Sequence, residues 1–327
     1  MNNFKNKVTL FFLNRSLLII LILMIVIMSI ASDKFFSVTN FLNILSNYSI
    51  TAIIAFGLAI LLISGAIDIS FGSMISICAV TATFLSRYPV WVIIVLTIIL
   101  GALLGMTNGV IVAKIGVQPL IATLATQGLF YAALALITNN NFVGGSRENK
   151  AWQFMGSGKT FKIPMPIIIM IIVFFIVWLV LNKTLYGKFV YALGSNKQAL
   201  NCAGINPSRI WFLSFVFMGI IIGIAGVLVS ARLGGVLPIE GLRYLYIVLT
   251  AVILGGIGIK GGVGSLTNVL IAVLILGIID NAMVLLSIAY KYQQMSRGII
   301  FVLSVYYNNI MLSVRSKFEK KYLSQIE

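Results

Sequence analysis

The chain has 327 residues, 60% of them hydrophobic and 9% charged, with a mean hydropathy of +1.09. A water-soluble domain needs roughly 25% charged residues to cover its surface, so the composition excludes one and leaves an all-α, polytopic membrane protein. The net charge of +16 does not point to nucleic acid, because the basic residues lie mostly at helix ends and in the two tails. There the positive-inside bias and anionic lipid headgroups account for them. The short alternating segments of an outer-membrane barrel are absent. With no histidine, imidazole catalysis, a His-ligated metal and a His proton relay are ruled out. Cys78 in an apolar run and Cys202 in a polar loop give neither a disulfide framework nor metal spacing, and no cofactor is expected.

At the start of the chain, Lys5, Lys7 and Arg15 precede an apolar run from Leu17 to Ile30. Ser29-Ile30-Ala31 faintly resembles a signal-peptidase site, but the first helix of a polytopic protein is expected to stay as an anchor. Apolar runs predict spans over 17–32, 48–64, 70–86, 91–113, 119–138, 163–181, 210–231, 244–259, 266–288 and 296–313. That makes about ten, within one transmembrane domain over 1–327 with its core at 40–310. Whether 48–86 crosses twice or makes one broken traverse stays open at this level. Loops 139–162 and 182–209 carry four basic residues each, so the basic N-terminus and the basic tail 314–327 decide the orientation. Both ends are expected in the cytoplasm, which needs an even number of crossings. Loop 182–209 is then cytoplasmic and loop 139–162 faces out. No Gly-x-x-x-x-Gly-Lys-Ser/Thr motif occurs, so any ATP hydrolysis needs another subunit.

One stretch organises the middle of the chain: Gly65-Ala66-Ile67-Asp68-Ile69-Ser70-Phe71-Gly72-Ser73. Asp68 is the only Asp, Glu, Lys or Arg between Lys34 and Arg87. A carboxylate at membrane depth costs about 2.5–3.5 kcal/mol on insertion scales, unless it meets a partner or a water-filled cavity. The flanking glycines allow a broken helix, tolerated only against protein or a cavity; the alternative is a short polar turn at the membrane surface. Asn108, Gln127 and the pair Asp280-Asn281 also fall within or at the ends of spans. Interhelical hydrogen bonding, worth about 0.6 kcal/mol on average, is the favoured reading for Asn108 and Gln127. Asp68 and Asp280 have no Lys or Arg near them in sequence and favour a cavity. With Ser70 and Thr123, these residues are the expected lining of a translocation pathway.

The segment 255–265 holds six glycines in eleven residues and reads as a flexible turn between packed helices. Gly219, Gly223 and Gly226 permit close helix approach. Leu104–Gly109 faintly echoes Leu276–Asn281, with the two segments expected to run in opposite directions, as in an inverted repeat. Within the loop 183–209, Asn196 is expected to cap a short helix over Lys197–Ala203 and Gly204 to end it. Such a capped helix is a docking element in form, the alternative being a plain connector.

Taken together, these segments resemble the permease subunit of bacterial sugar ABC importers, the ribose/xylose/arabinose and autoinducer-2 family. The resemblance rests on residues 65–73 against Gly-Gly-Ile-Asp-Leu-Ser-x-Gly-Ser and on Asn108–Val117 against Asn-Gly-x-x-Val-Ala-Lys-x-Gly-Val. Thr123-Leu124-Ala125-Thr126, the stretch Gly194–Ile205, Ala231-Arg232-Leu233 and Ala251–Gly256 follow in order, so the match covers about 40–310. It implies the ABC importer permease fold in the bacterial cytoplasmic (inner) membrane. The implied chain is not an enzyme; it translocates a monosaccharide-class solute, a pentose or an autoinducer-2-like molecule. The implied partners are cytoplasmic ATPase subunits, an extracytoplasmic solute-binding protein, a second permease copy or paralogue, and membrane lipid, with no nucleic acid. Ser195, Asn196, Lys197, Gln198, Ala199, Leu200, Ala203, Gly204 and Ile205 would couple to the ATPase. Two departures stand out. Tyr244-Leu245-Tyr246-Ile247 lacks the two carboxylates of the usual Tyr-Glu-Leu-Asp, which fits one half of a heteromeric permease pair. In the coupling loop, Lys197 and Gln198 replace acidic residues and Asn201 replaces Arg. The rival reading is an ion-gradient-driven secondary transporter of a small polar solute, with Asp68 and Asp280 carrying protons.

Overall fold

The computed structural model describes residues 15–258 and 260–323; Lys5 and Lys7 of the basic N-terminus and residues 324–327 of the tail lie outside them. In lipid every backbone polar group must be satisfied within the chain, so apolar segments coil into helices. They are α1 (Ser16–Ala31), α2 (Val38–Ile63), α3 (Phe71–Phe84), α4 (Val90–Val110), α5 (Pro119–Thr138), α6 (Lys150–Ser157), α7 (Met165–Lys183), α8 (Leu185–Ser195), α9 (Lys197–Cys202), α10 (Pro207–Leu233), α11 (Tyr244–Leu254), α12 (Leu266–Leu285) and α13 (Tyr290–Leu323). Local chemistry sets their ends. Ser37 accepts the amide of Asn40 at the start of α2, and Pro119 and Pro207 open α5 and α10, where a missing N–H does no harm. Gly234, at φ +66°, closes α10 in the left-handed conformation. The only strands among the described residues are two antiparallel two-residue ribbons, Val143–Gly144 with Gly235–Val236 and Lys159–Thr160 with Ile163–Pro164.

Helices occupy all ten expected segments, but among the described residues six are long and apolar enough to cross a membrane. The expected count of ten full spans is therefore not met. The helices Ser16–Ala31 and Phe71–Arg87 are shorter. The clearest correction is 244–259: α11 has 11 residues, about 16 Å of rise against a hydrocarbon core of about 30 Å. The approach to α11 is irregular, through residues 234–239 and a 3-10 turn at Glu240–Arg243.

Two faces of the bundle can be named from its contacts. On the lower face, the end of α2 meets the 183–209 segment and the glycine turn: Gly262 N donates to Ile63 O at 2.8 Å and Trp211 Nε1 to Ser64 O at 3.0 Å. On the upper face, Ser146 N donates to Ser86 Oγ at 2.7 Å, and Asn149 Nδ2 to Ser86 O at 2.8 Å. Near the top of α10, Ser230 bonds Thr83 of α3 at 2.7 Å, while Arg232 donates to Ser46 O of α2 at 2.5 Å. Both α2 and α3 thus join the two faces, and 48–86 crosses twice. Near the lower face Tyr307 of α13 donates to Ser16 of α1 at 2.9 Å, so the two ends of the chain approach the same face as 183–209.

α2 and α3 form the centre, buried nearly all round, as helices apolar on every face should be. Glycines set the closest approach around them. A Cβ on Gly219 of α10 would lie 2.2 Å from Gly101 O of α4, and one on Gly226 would lie 2.5 Å from Cβ of Cys78 on α3. The small residues read from the sequence therefore lie at helix crossings.

Candidate functional site

The break between α2 and α3 folds as a closed polar cluster. Asp68 Oδ1 accepts Ser70 N at 2.8 Å and Ser70 Oγ at 2.6 Å, an Asx-type turn that leads into α3. Asn108 on α4 donates through Nδ2 to Ser70 Oγ at 2.7 Å and to Asp68 Oδ2 at 3.4 Å. All three side chains are fully buried, and Asn108 Oδ1 has no partner. The cluster ties the start of α3 to α4 with its hydrogen-bonding capacity turned inward. Thr123, also buried, donates back to Pro119 O at 2.8 Å and weakly to Ile67 O at 3.5 Å. Gln127 joins through its backbone, as its carbonyl accepts Ser73 Oγ at 2.9 Å. Asp68, Ser70, Asn108 and Thr123 are thus brought together, with Gln127 one turn above.

Asp280 and Asn281 lie elsewhere, in a polar cavity of about 380 Å³ walled by α2, the 240–243 turn, α11, α12 and α13. Asp280 Oδ2 accepts from Tyr48 Oη and from Arg297 Nη2 at 2.8 Å. The expectation that Asp280 has no cation near it is corrected here: Arg297 stands 17 residues away in sequence, on the next helix, and folds back onto it. Asn281 exchanges two amide hydrogen bonds with Asn40, at 2.8 and 3.1 Å. Sequence reasoning missed Tyr48, Glu240, Arg243 and Arg297. For Arg297 the available signal was an arginine near the start of the last apolar segment, one helix on from Asp280.

A backbone joint links the cluster and the cavity. Gly241 N donates to Ser76 Oγ at 2.9 Å, and a Cβ on Gly241 would stand 2.0 Å from Gly72 O. No side chain fits between the 240–243 turn and the first turns of α3.

The lower face carries the third element. Asn196 Oδ1 accepts Ala199 N at 2.9 Å and caps α9, while Gly204 follows at φ +80°, as the sequence predicts. Ser195, Asn196, Lys197, Gln198, Ala199, Ala203 and Gly204 are exposed, Ile205 is half-buried, and Leu200 is buried and anchors the helix. Lys197 Nζ sits 4.2 Å above the Trp211 ring, a cation–π contact. The preceding helix α8 was read as loop. Thr184 caps it by accepting Gly187 N at 3.1 Å, and Gly187, Val190 and Leu193 form its buried face. The joint to the bundle is again glycine: a Cβ on Gly194 would lie 1.9 Å from Ile63 O and 2.3 Å from Gly262 N. The glycine run, expected to be flexible, is pinned here. Tyr191 donates to Gly264 O at 3.0 Å, and burial pushes its hydroxyl above its ordinary titration range, so it remains a donor.

The profile of one protein family, described as branched-chain amino acid transport system / permease component, matches residues 40–305. Over 316 residues the chain is 36% identical to the ribose import permease protein of Haemophilus influenzae, covering 94% of this chain and 98% of that one. It is 35% identical over 296 residues to the ribose import permease protein of Escherichia coli K12, covering 89% and 92%. Against the L-arabinose transport system permease protein of Escherichia coli K12 it is 31% identical over 262 residues, covering 80% and 79%. No solved structure matches the chain. With its helical bundle, six membrane-length apolar helices and a profile match across most of its length, this chain belongs to the transport-system permease component family.

Proposed function

We propose that the chain is the membrane-spanning permease subunit of an ATP-driven importer of a pentose-class sugar. Ribose and arabinose stand first as cargo because they appear in the names of its relatives; an autoinducer-2-like solute is the second choice. The whole chain acts as one transmembrane unit, with ATP hydrolysis on separate cytoplasmic subunits and solute delivered by an extracytoplasmic binding protein. The lower face is cytoplasmic on this reading, with both chain ends there, and a second permease copy or a paralogue completes the assembly.

The observation that carries the proposal is the exposed, capped knob at 195–204, jointed through Gly194 to Ile63 and Gly262. A surface helix held by backbone contacts to the centre of the bundle can pass on the movement of a docked ATPase. Among the pathway residues, Asp280 and Asn281 line an open cavity, which supports solute contact. Asp68, Ser70 and Asn108 are sealed and bonded to one another, which supports a positioning role at the break. The test is uptake of radiolabelled ribose and arabinose into proteoliposomes holding the chain with its ATPase and binding protein. Uptake that requires ATP and the binding protein is expected. Uptake by the chain alone, driven by an ion gradient, would overturn the proposal in favour of secondary transport.

A further inference from the structure

The cavity between α2, α11, α12 and α13 carries a chemistry that narrows its ligand. Four charged side chains line it, Glu240, Arg243, Asp280 and Arg297, and their charges sum to zero. They are already paired, Arg297 with Asp280 at 2.8 Å and Arg243 with Glu240 at 3.4 Å. Glu240 and Asp280 are only 13% and 17% exposed, so the pairs sit in the wall and are not loose surface contacts. A wall of this kind concentrates ions of neither sign. A zwitterionic amino acid needs one bare cation and one bare anion and would have to part both pairs. A hydroxyl donates and accepts at once. Neighbouring hydroxyls can therefore add to a carboxylate and its guanidinium partner without separating them. Thr51 supplies a further hydroxyl to the same wall. The volume of about 380 Å³ lies at the small end of ligand cavities, which suits a monosaccharide.

We infer that this cavity is a binding site, within a single permease protomer, for a neutral polyhydroxylated solute of monosaccharide size. The site rests on the reading of the chain as a sugar permease and adds to it a place where the solute is held inside the bundle. Asp280 and Arg297 form its polar floor, Glu240 and Arg243 its opposite wall, and Thr51 the side contributed by the central helix.

Saturation-transfer NMR on the full chain in lipid nanodiscs, without ATPase or binding protein, tests it with D-ribose and L-leucine as probes. Saturable transfer to ribose is expected and none to leucine. Asp280→Asn should weaken ribose binding at least tenfold. Thr51→Leu should do the same by filling the cavity while leaving both ion pairs in place, so a result remains if Asp280→Asn does not insert. No transfer to ribose, or equal transfer in the parent and Thr51→Leu, overturns the site. Saturable leucine binding without ribose binding overturns the ligand class. ATP-dependent ribose uptake by the full assembly, with no ribose binding to the chain, overturns the site alone. Ribose binding with no ATP-dependent uptake overturns the transport reading alone.

Discussion

Gly194→Ala tests the joint between the surface knob and the bundle. The added methyl would stand 1.9 Å from Ile63 O and 2.3 Å from Gly262 N. Both neighbours are backbone atoms, and they are the two ends of one hydrogen bond of 2.8 Å. No side chain can swing aside, so the bond must break or α8 must lift away. An orphaned buried pair costs about 1–3 kcal/mol, and overpacking costs about 1–3 kcal/mol more. Alanine returns up to about 1 kcal/mol of helix propensity, so the net prediction is a loss of about 1–5 kcal/mol. Gly128→Ala on α5 is the control, since a Cβ there meets nothing within 4 Å; it should be neutral or stabilising by up to about 1 kcal/mol. Reversible unfolding of the full chain in mixed micelles measures both. A Gly194→Ala protein as stable as the parent would refute the reasoning.

Three further outcomes are expected. Ser70→Ala removes the hydroxyl that Asn108 donates to and that Asp68 accepts from, and should cost about 1–3 kcal/mol; combined with Asn108→Ala the loss should fall short of the sum, as the same unfolding assay would show. Arg232→Lys replaces a fork that reaches both Ser46 O and Asn47 Oδ1 with a point donor, and should cost about 1 kcal/mol by the same measure. Gly204→Pro cannot adopt φ +80° and loses the amide that donates to Asn201 O at 3.0 Å; ATP hydrolysis should uncouple from uptake while the protein still inserts, and unchanged uptake counts against the docking role.

Local features were legible in the sequence. The Asn196 cap and the left-handed Gly204 need only residues a few positions apart, so side-chain reach and backbone sterics suffice to predict them. Apolar runs likewise located the long helices, because hydropathy is a local sum. The short α11 was misjudged because the apolar run continues to Ile257 while the backbone turns at Gly255, with Gly256 at φ +84°. Asp280 was expected to lack a cation because nearness was judged along the chain, whereas antiparallel helices bring residue 297 back beside it. α8 had a readable signal, Thr184 followed by small and apolar residues at 187, 190 and 193. Its polar residues outweighed that pattern in a reading tuned to membrane spans. The sealed state of Asp68 could not be read at all, since it depends on where Asn108 of another helix falls.

α2 connects the lower joint to the upper cavity. From Tyr48 to Ile63 every residue is buried, a stretch of about 22 Å at 1.5 Å per residue. A helix close-packed on all sides has little room to bend, so it moves as a body. Its lower end is held by Gly262 on Ile63 O and Trp211 on Ser64 O. Its upper part places Thr51 in the cavity wall and Tyr48 on Asp280. No loop intervenes between the two ends, so a displacement of α8 and α9 should reach the cavity undamped. Gly194→Ala, which forces that displacement without a partner, is therefore predicted to change ribose binding at the cavity, whereas Gly128→Ala leaves it unaltered. Nanodisc titrations of the two variants give the comparison, and identical ribose affinities in both would show that the rod does not connect the two faces.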